Sequence, residues 1–284
     1  MGQPKRESQL VIVARIGLRL AQAALPQYAH LKSPHTYTLP QLVACVLLKV
    51  HQRKSYRDTE ELLLASSELR TVLELSQVPD YSTLQRTYKK LRMVDFERMN
   101  DELLRALEIQ ADYISSDGTG FALSTASAYY RRRRRGENEG WLKGVYAVDV
   151  ASLLIVAMCT GRGPSNDIPH LETLRRRAMP YGRRRGRRRL WVMLADAGFD
   201  GRTVQATDLI PPMRRHGKLV DPTRIARKEL VDQARLDGLY GQRWKSETVN
   251  SVIKRKFGSA VFSVLRHLQR RDAIIKGLVY NIHR

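Results

Sequence analysis

The chain has 284 residues, 43% of them hydrophobic, with 50 Lys and Arg against 28 Asp and Glu and a formal net charge of +22. That hydrophobic content excludes a disordered chain, and the length allows one large domain or two modest ones. So large a positive surplus repels itself unless a polyanion relieves it, which points to nucleic acid, although charge alone also admits a ribosomal or membrane-surface role.

In chain order, the apolar stretch Leu10 to Leu25 is interrupted by Arg15 and Arg19, so it does not read as a signal peptide. No apolar run has the length of a bilayer span, and the expectation is a cytoplasmic protein working at the nucleoid. The first hundred residues read as helices. Leu39 to Val50 is an apolar helix with a proline near its start. Thr59 to Leu64 and Glu68 to Leu75 continue with helical spacing. Pro79 to Tyr81 is a break, Ser82 an N-cap for Thr83 to Leu91, and Phe96 to Leu107 another amphipathic helix. Cys45 and Cys159 sit in apolar runs and read as buried thiols of a reducing compartment; two cysteines also exclude a Cys-rich zinc finger.

The texture then changes. Tyr113 to Asp117 is a short strand candidate ending at Gly118, and Trp141 to Val150 with Leu153 to Thr160 reads as a hairpin. Ser165 to about Arg177 reads as a helix with Asp167 as its cap, and Leu190 to Ala195 as a strand stopping at Asp196. Thr203 to Thr207 reads as a short helix and Leu209 to Pro211 as a short strand. A long helix is predicted from Tyr240 to Phe257, stopped by Gly258, with further helix from Val261 to Tyr280. A mixed sheet with helices on its faces fits this order.

In an ideal helix Tyr240, Arg243, Glu247 and Lys254 fall within about 60° of arc. One carboxylate among two cations and a phenol suits metal plus phosphate; a solvated face with Arg243 and Glu247 as a plain i,i+4 pair fits the same spacing. Asp117 and Asp196 each close an apolar strand before small residues. Each alone fits a turn or N-cap aspartate as well as a ligand site at a strand end. Taken together, the three acids suit phosphoryl transfer by paired Mg²⁺ about 3.5–4 Å apart, with oxygen ligands and no need for histidine or cysteine.

At this point a family resemblance emerges. Tyr240-x2-Arg243-x3-Glu247-x6-Lys254 matches the Y-R-E-K signature of DDE transposases from prokaryotic insertion sequences. Asp117-Gly-Thr-Gly-Phe resembles that family's first-aspartate block, and Leu194-Ala-Asp196-Ala-Gly-Phe-Asp200 its second. Ser165 to His170 resembles the stretch that precedes the second aspartate, and the resemblance as a whole covers residues 39–284. It implies an α/β fold, an RNase H-like mixed-sheet catalytic core preceded by an all-α region. Residues 1–110 would form a helical DNA-binding and dimerisation region, and residues 111–284 the catalytic domain with its C-terminal helices. It further implies Asp117, Asp196 and Glu247 as catalytic ligands of Mg²⁺, with Mn²⁺ substituting, and Tyr240, Arg243 and Lys254 on DNA phosphates near the scissile bond. Asp117 would bridge both ions. The implied partners are double-stranded DNA, as terminal inverted repeats and as target, and a second copy of the chain in a dimer on DNA; no membrane is implied. The reaction would be in-line attack, by water and then by the freed 3′-hydroxyl. A structure-selective endonuclease on the same fold and an inactive DNA-binding derivative are the alternatives.

Other features carry two readings each. The runs Arg131, Arg132, Arg133, Arg134, Arg135 and Arg183 to Arg189 grip the DNA backbone, relieving their own repulsion, or are solvated loops. The Ser82 to Leu91 helix reads either as the recognition helix of a helix-turn-helix or as an ordinary bundle helix. Trp244 reads as partial core rather than a wedge against a base, His170 as structural and Lys143 as surface.

Overall fold

The structure is a computed structural model that describes residues 7–30, 32, 34–123, 141–213 and 219–284. The run Arg131 to Arg135 lies outside the described residues. The chain forms two compact units, one of residues Met1–Ala106 with Leu278–Arg284, the other of residues Leu107–Gly277.

The first unit is helical: α1 (Gln9–Ala24), α2 (Leu39–His51), α3 (Tyr56–Ala65), α4 (Ser67–Val72), α5 (Tyr81–Lys90) and α6 (Met93–Ala106). Local chemistry sets the boundaries. Thr38 with Gln41 and Ser55 with Asp58 form capping boxes at the starts of α2 and α3, each satisfying backbone N–H groups that the helix leaves open. Asp80, not Ser82, caps α5, so this helix begins two residues earlier than its sequence suggests. Leu84, Thr87 and Tyr88 face inward from it, while Arg86, Lys89 and Lys90 are exposed. α1 and α2 pack together, with Val13, Ala14 and Leu18 of the first and Val43, Leu47 and Leu48 of the second all buried. Gly17 permits the approach, since a Cβ there would lie 3.1 Å from Leu47 Cδ1. Cys45 is fully buried in this layer, and burial pushes its thiol pKa up to about 12.

The second unit is built on a mixed sheet of order β3-β2-β1-β6. β1 (Tyr113–Leu123) and β2 (Leu142–Asp149) are antiparallel, as are β2 and β3 (Ile155–Arg162); β6 (Val192–Leu194) runs parallel to β1. β7 (Ala260–Val261) pairs parallel with the end of β1, and β4 (Arg184–Arg185) with β5 (Arg188–Arg189) forms a separate ribbon turning at Gly186, φ +58°. α7 (Ile168–Ala178) packs on β3 and β2, and α9 (Trp244–Phe257) packs on β1 and β2. α8 (Pro222–Leu236) covers β6, burying Val231 and Ala234 against Leu194 and Leu209. The last helix is α10 (Arg266–His283).

Several elements differ from their expected form. β1 does not stop at Asp117 but runs on through Gly118 and Gly120. The glycines serve close approach: a Cβ on Gly120 would lie 2.8 Å from Trp141 Cδ1, and the ladder to β2 continues past it. Thr203 to Thr207 forms turns rather than a helix, and Leu209 makes a single bridge to Leu194 in place of a strand. Side chains organise this loop. Asp208, wholly buried, accepts from Arg175, from Arg189 at 2.8 Å and from the backbone N–H of Gln205 at 2.8 Å. α8 went unread despite its signals, the N-cap Asp221 followed by Pro222. Tyr240–Arg243 is a 3₁₀ turn, and the α-helix begins only at Trp244.

Candidate active site

Strand alternation decides what β1 presents. Ser115, Asp117 and Thr119 point to one face and Ile114, Ser116 and Gly118 to the other. The first face meets α9. Ser115 Oγ lies 2.8 Å from Ser246 Oγ and donates to the Arg243 carbonyl at 3.1 Å. One turn further along α9, Asn250 Nδ2 donates to Asp117 Oδ2 at 2.8 Å. These bonds fix the helix bearing Glu247 against the strand bearing Asp117.

β6 delivers Asp196. Its parallel register, Ser115 with Leu194, brings Asp196 beside Asp117 two residues later. There the strand gives way to a short 3₁₀ turn that Asp196 itself caps, its Oδ1 accepting from Gly198 N at 2.8 Å. Asp117 feels this neighbour. Burial pushes the Asp117 pKa up from its ordinary value and the Asp196 charge adds to this, opposed by the Asn250 hydrogen bond and by the Arg243 charge.

The third acid is oriented differently. Glu247 is half-exposed and ion-paired to Arg243 at 2.5 Å, and among the described residues no three acidic, histidine or cysteine side chains converge as a metal cage. An exposed i,i+4 pair contributes only about 0.3–0.5 kcal/mol, so a side-chain rotation of Glu247 is cheap beside what a divalent cation offers. The residues fit such an ion in chemistry. The donors are carboxylate oxygens, two of like charge held together in a largely buried place, with a buried Asn250 Oδ1 that has no hydrogen-bond partner.

The rest of the signature is divided between structure and surface. Tyr240 is half-buried against the Leu194 and Val231 cluster, and its hydroxyl donates to the Ala195 carbonyl at 3.2 Å. That carbonyl precedes Asp196, so the phenol is engaged in holding β6. Burial raises its pKa. Arg243 is also raised, since the nearby charges of Glu247, Tyr240 and Asp117 outweigh desolvation. Lys254 lies about two turns beyond Glu247 on α9, partly exposed.

Three readings of single residues are corrected. Trp244, the first residue of α9, is 53% exposed and not partial core. Lys143 is not a surface lysine: its side chain is 12% exposed and paired with Asp167 at 2.9 Å. Asp167 stands at the N-cap position of α7 but its side chain makes no capping bond. His170 is half-buried on the same face as Lys143, against Gly161, and burial lowers its pKa. The run Arg183 to Arg189 divides. Arg183 pairs with Asp112 at 3.1 Å, and Arg189 pairs with Asp208 and stacks over Trp191 at 3.9 Å. Arg184, Arg185, Arg187 and Arg188 are exposed at the ribbon's tip and make no ion pair among the described residues. A buried clamp went unread: Asp200 accepts from Arg224 at 2.6 Å and from Arg227, tying the loop after Asp196 to α8.

Compared with known protein families, residues 110–282, more than half of the chain, match the family described as Transposase DDE domain. The chain belongs to the DDE transposase family. The mixed sheet is therefore the RNase H-like core of a transposase, and the chemistry is breaking and rejoining phosphodiesters in DNA. DNA is the partner that the charge of +22 anticipates. No curated protein and no solved structure matches the transposase. Among its described residues no helix is long and apolar enough to cross a membrane.

Proposed function

We propose that this transposase binds the terminal inverted repeats of an insertion sequence, cuts at them and joins the freed 3′ ends to target DNA. The observation that carries this reading is the meeting of Asp117 and Asp196 at adjacent strands, with Asn250 of α9 bonded to Asp117 one turn from Glu247. Asp117, Asp196 and Glu247 would hold a pair of divalent ions, Mg²⁺ in the cell and Mn²⁺ as a substitute. When bound, such ions supply charge stabilisation at the attacking and leaving oxygens of an in-line displacement.

The chain's own residues do the rest. Arg243 and Lys254 hold phosphates beside the scissile bond, with Arg243 exchanging Glu247 for a phosphate as DNA enters. Tyr240 keeps Asp196 in register through the Ala195 carbonyl and presents the edge of its ring to the backbone of the DNA. The four arginines at the ribbon tip, with the run Arg131 to Arg135, track the duplex without reading sequence. Residues 1–110 recognise the ends and dimerise, and residues 111–284 perform catalysis. The protein works in the cytoplasm, on the nucleoid, as a homodimer on paired ends.

The test is a cleavage and strand-transfer assay with the full chain, Mg²⁺ and a plasmid carrying the inverted repeats that flank the gene. The unchanged chain is expected to nick the ends and join them to target, and Asp196→Ala to do neither. Nicking with no joining would turn the reading to an endonuclease. Binding with neither step in the unchanged chain would turn it to a DNA-binding derivative.

A further inference from the structure

On the side of the sheet away from Asp117, Gly118 and Gly120 leave β1 bare. Lys143, paired opposite Gly120, reaches along this strip to Asp167, its Nζ donating to Oδ1 at 2.9 Å and also to the Ser165 carbonyl. Both side chains are largely buried, at 12% and 20% exposure. The Asp167 side chain has a helix N-terminus at hand and gives it no bond. Its two oxygens face two glycines instead. A Cβ built on Gly118 would lie 3.1 Å from Oδ1, and one built on Gly198 would lie 3.5 Å from Oδ2. Gly118 follows Asp117, and Gly198 donates its N–H to Asp196. One carboxylate thus packs against the backbone beside each aspartate, beyond the point where the β1–β6 ladder ends at Ser115 and Leu194.

We propose that the Lys143–Asp167 pair is a positioning clamp that sets the spacing of Asp117 and Asp196. The two residues touch neither DNA nor the ions. They act through the backbone, where the sheet's own hydrogen bonds no longer fix the two strand ends. Gly118 and Gly198 are the sockets in which the Asp167 carboxylate sits, and Lys143 holds it there from β2. The proposal rests on the reading of Asp117 and Asp196 as metal ligands.

Charge and position predict opposite signs, which makes the clamp testable with Mn²⁺ alone. Lys143→Met removes a positive charge near the site, so electrostatics alone would tighten Mn²⁺. Without the clamp Mn²⁺ would bind more weakly, by the tenfold to hundredfold range typical of groups that orient metal ligands. Free Mn²⁺ would be titrated by electron paramagnetic resonance against the full chain and four variants: Lys143→Met, Lys143→Arg, Asp167→Asn and the charge-neutral double Lys143→Met/Asp167→Asn. The expected result is about tenfold or greater weakening in Lys143→Met, partial recovery in Lys143→Arg, and a double variant no weaker than the worse single. Circular dichroism identifies any variant that does not fold, and the contrast of Met with Arg at position 143 then decides. Unchanged or tighter binding in Lys143→Met, or additive losses that follow the thermal midpoint, would overturn the clamp. Asp117→Asn is the separate control. If it binds Mn²⁺ as the unchanged chain does, the ligand assignment fails; if it loses Mn²⁺ while the position-143 variants do not, only the clamp fails.

Discussion

Arg243 holds the carboxylate of Glu247 at 2.5 Å, one helical turn from the Asn250 amide that binds Asp117. The carboxylate of Glu247 is thereby engaged by its own helical neighbour. On the proposed function a DNA phosphate would compete for the same guanidinium, so DNA and metal are expected to help each other bind.

Arg243→Gln separates the two roles of this arginine. Without DNA it frees Glu247, and Mn²⁺ binding is expected to tighten about twofold, the scale of an exposed i,i+4 pair. With DNA present the variant has no guanidinium for the phosphate, so end cleavage falls. Titrations of Mn²⁺ with and without DNA, beside a nicking assay, check both. Weaker Mn²⁺ binding in the DNA-free variant would contradict the exchange.

Asp117 governs a pH dependence. Burial, with the nearby Asp196, raises its pKa in the folded chain above the ordinary value of about 3.9. A raised carboxylate favours the folded state fully below the unfolded pKa, and that contribution is lost as pH rises through the folded pKa. At neutral pH the ionised Asp117 therefore opposes folding. In EDTA, Asp117→Asn is expected to raise the thermal midpoint at pH 7, and the gain to fade as pH falls toward 4. Melting curves across that range suffice, and a gain independent of pH would count against the buried carboxylate.

Asn250 is expected to matter through Asp117 rather than through the fold. Its Nδ2 orients Asp117 Oδ2 at 2.8 Å. Asn250→Ala removes that donor and is expected to cut nicking about tenfold to a hundredfold. Asn250→Asp sets a carboxylate against Asp117 and should also lower the thermal midpoint in EDTA. Full activity in Asn250→Ala would show that Asp117 needs no such partner.

The Asp200 clamp predicts a stability effect. Asp200 and Arg227 are both nearly buried, and removing one partner of such a pair costs about 3–5 kcal/mol. Asp200→Ala leaves Arg227 and Arg224 facing an empty place, so chemical denaturation should occur at lower urea. A loss under about 1 kcal/mol would mean that solvent reaches the pair freely.

The ribbon tip predicts a salt dependence. Replacing Arg184, Arg185, Arg187 and Arg188 with serine is expected to weaken DNA binding alike on all sequences. The slope of log affinity against log salt should flatten by about one for each phosphate that an arginine no longer neutralises. Fluorescence anisotropy at several salt concentrations measures it; an unchanged slope would place the arginines away from DNA.

The signals that mark the candidate site are local in the chain. Tyr240, Arg243, Glu247 and Lys254 keep a fixed spacing, and each aspartate is followed by a glycine within two residues. The helical first unit and the β2–β3 hairpin are patterns of period and turn chemistry, which need no partner to be read. What was misread depends on a distant partner. Asp167 resembles an N-cap until Lys143 takes it, and Lys143 resembles a surface lysine until Asp167 buries it. Asp117 resembles a strand end, and only β2 and Trp141 show why two glycines can continue the strand.

By itself, then, the sequence determined the charge that calls for a polyanion, the helical first unit and the β2–β3 hairpin, since these follow from composition and short-range spacing. The tertiary structure alone decided that the charge of Asp196 comes near Asp117, and that Lys143 and Asp167 pair on the far side of the sheet from Asp117. The reason is physical: pairing across strands and burial of an ion pair are set by residues far apart in the chain, and nothing in a local pattern encodes which carboxylate will face which cation.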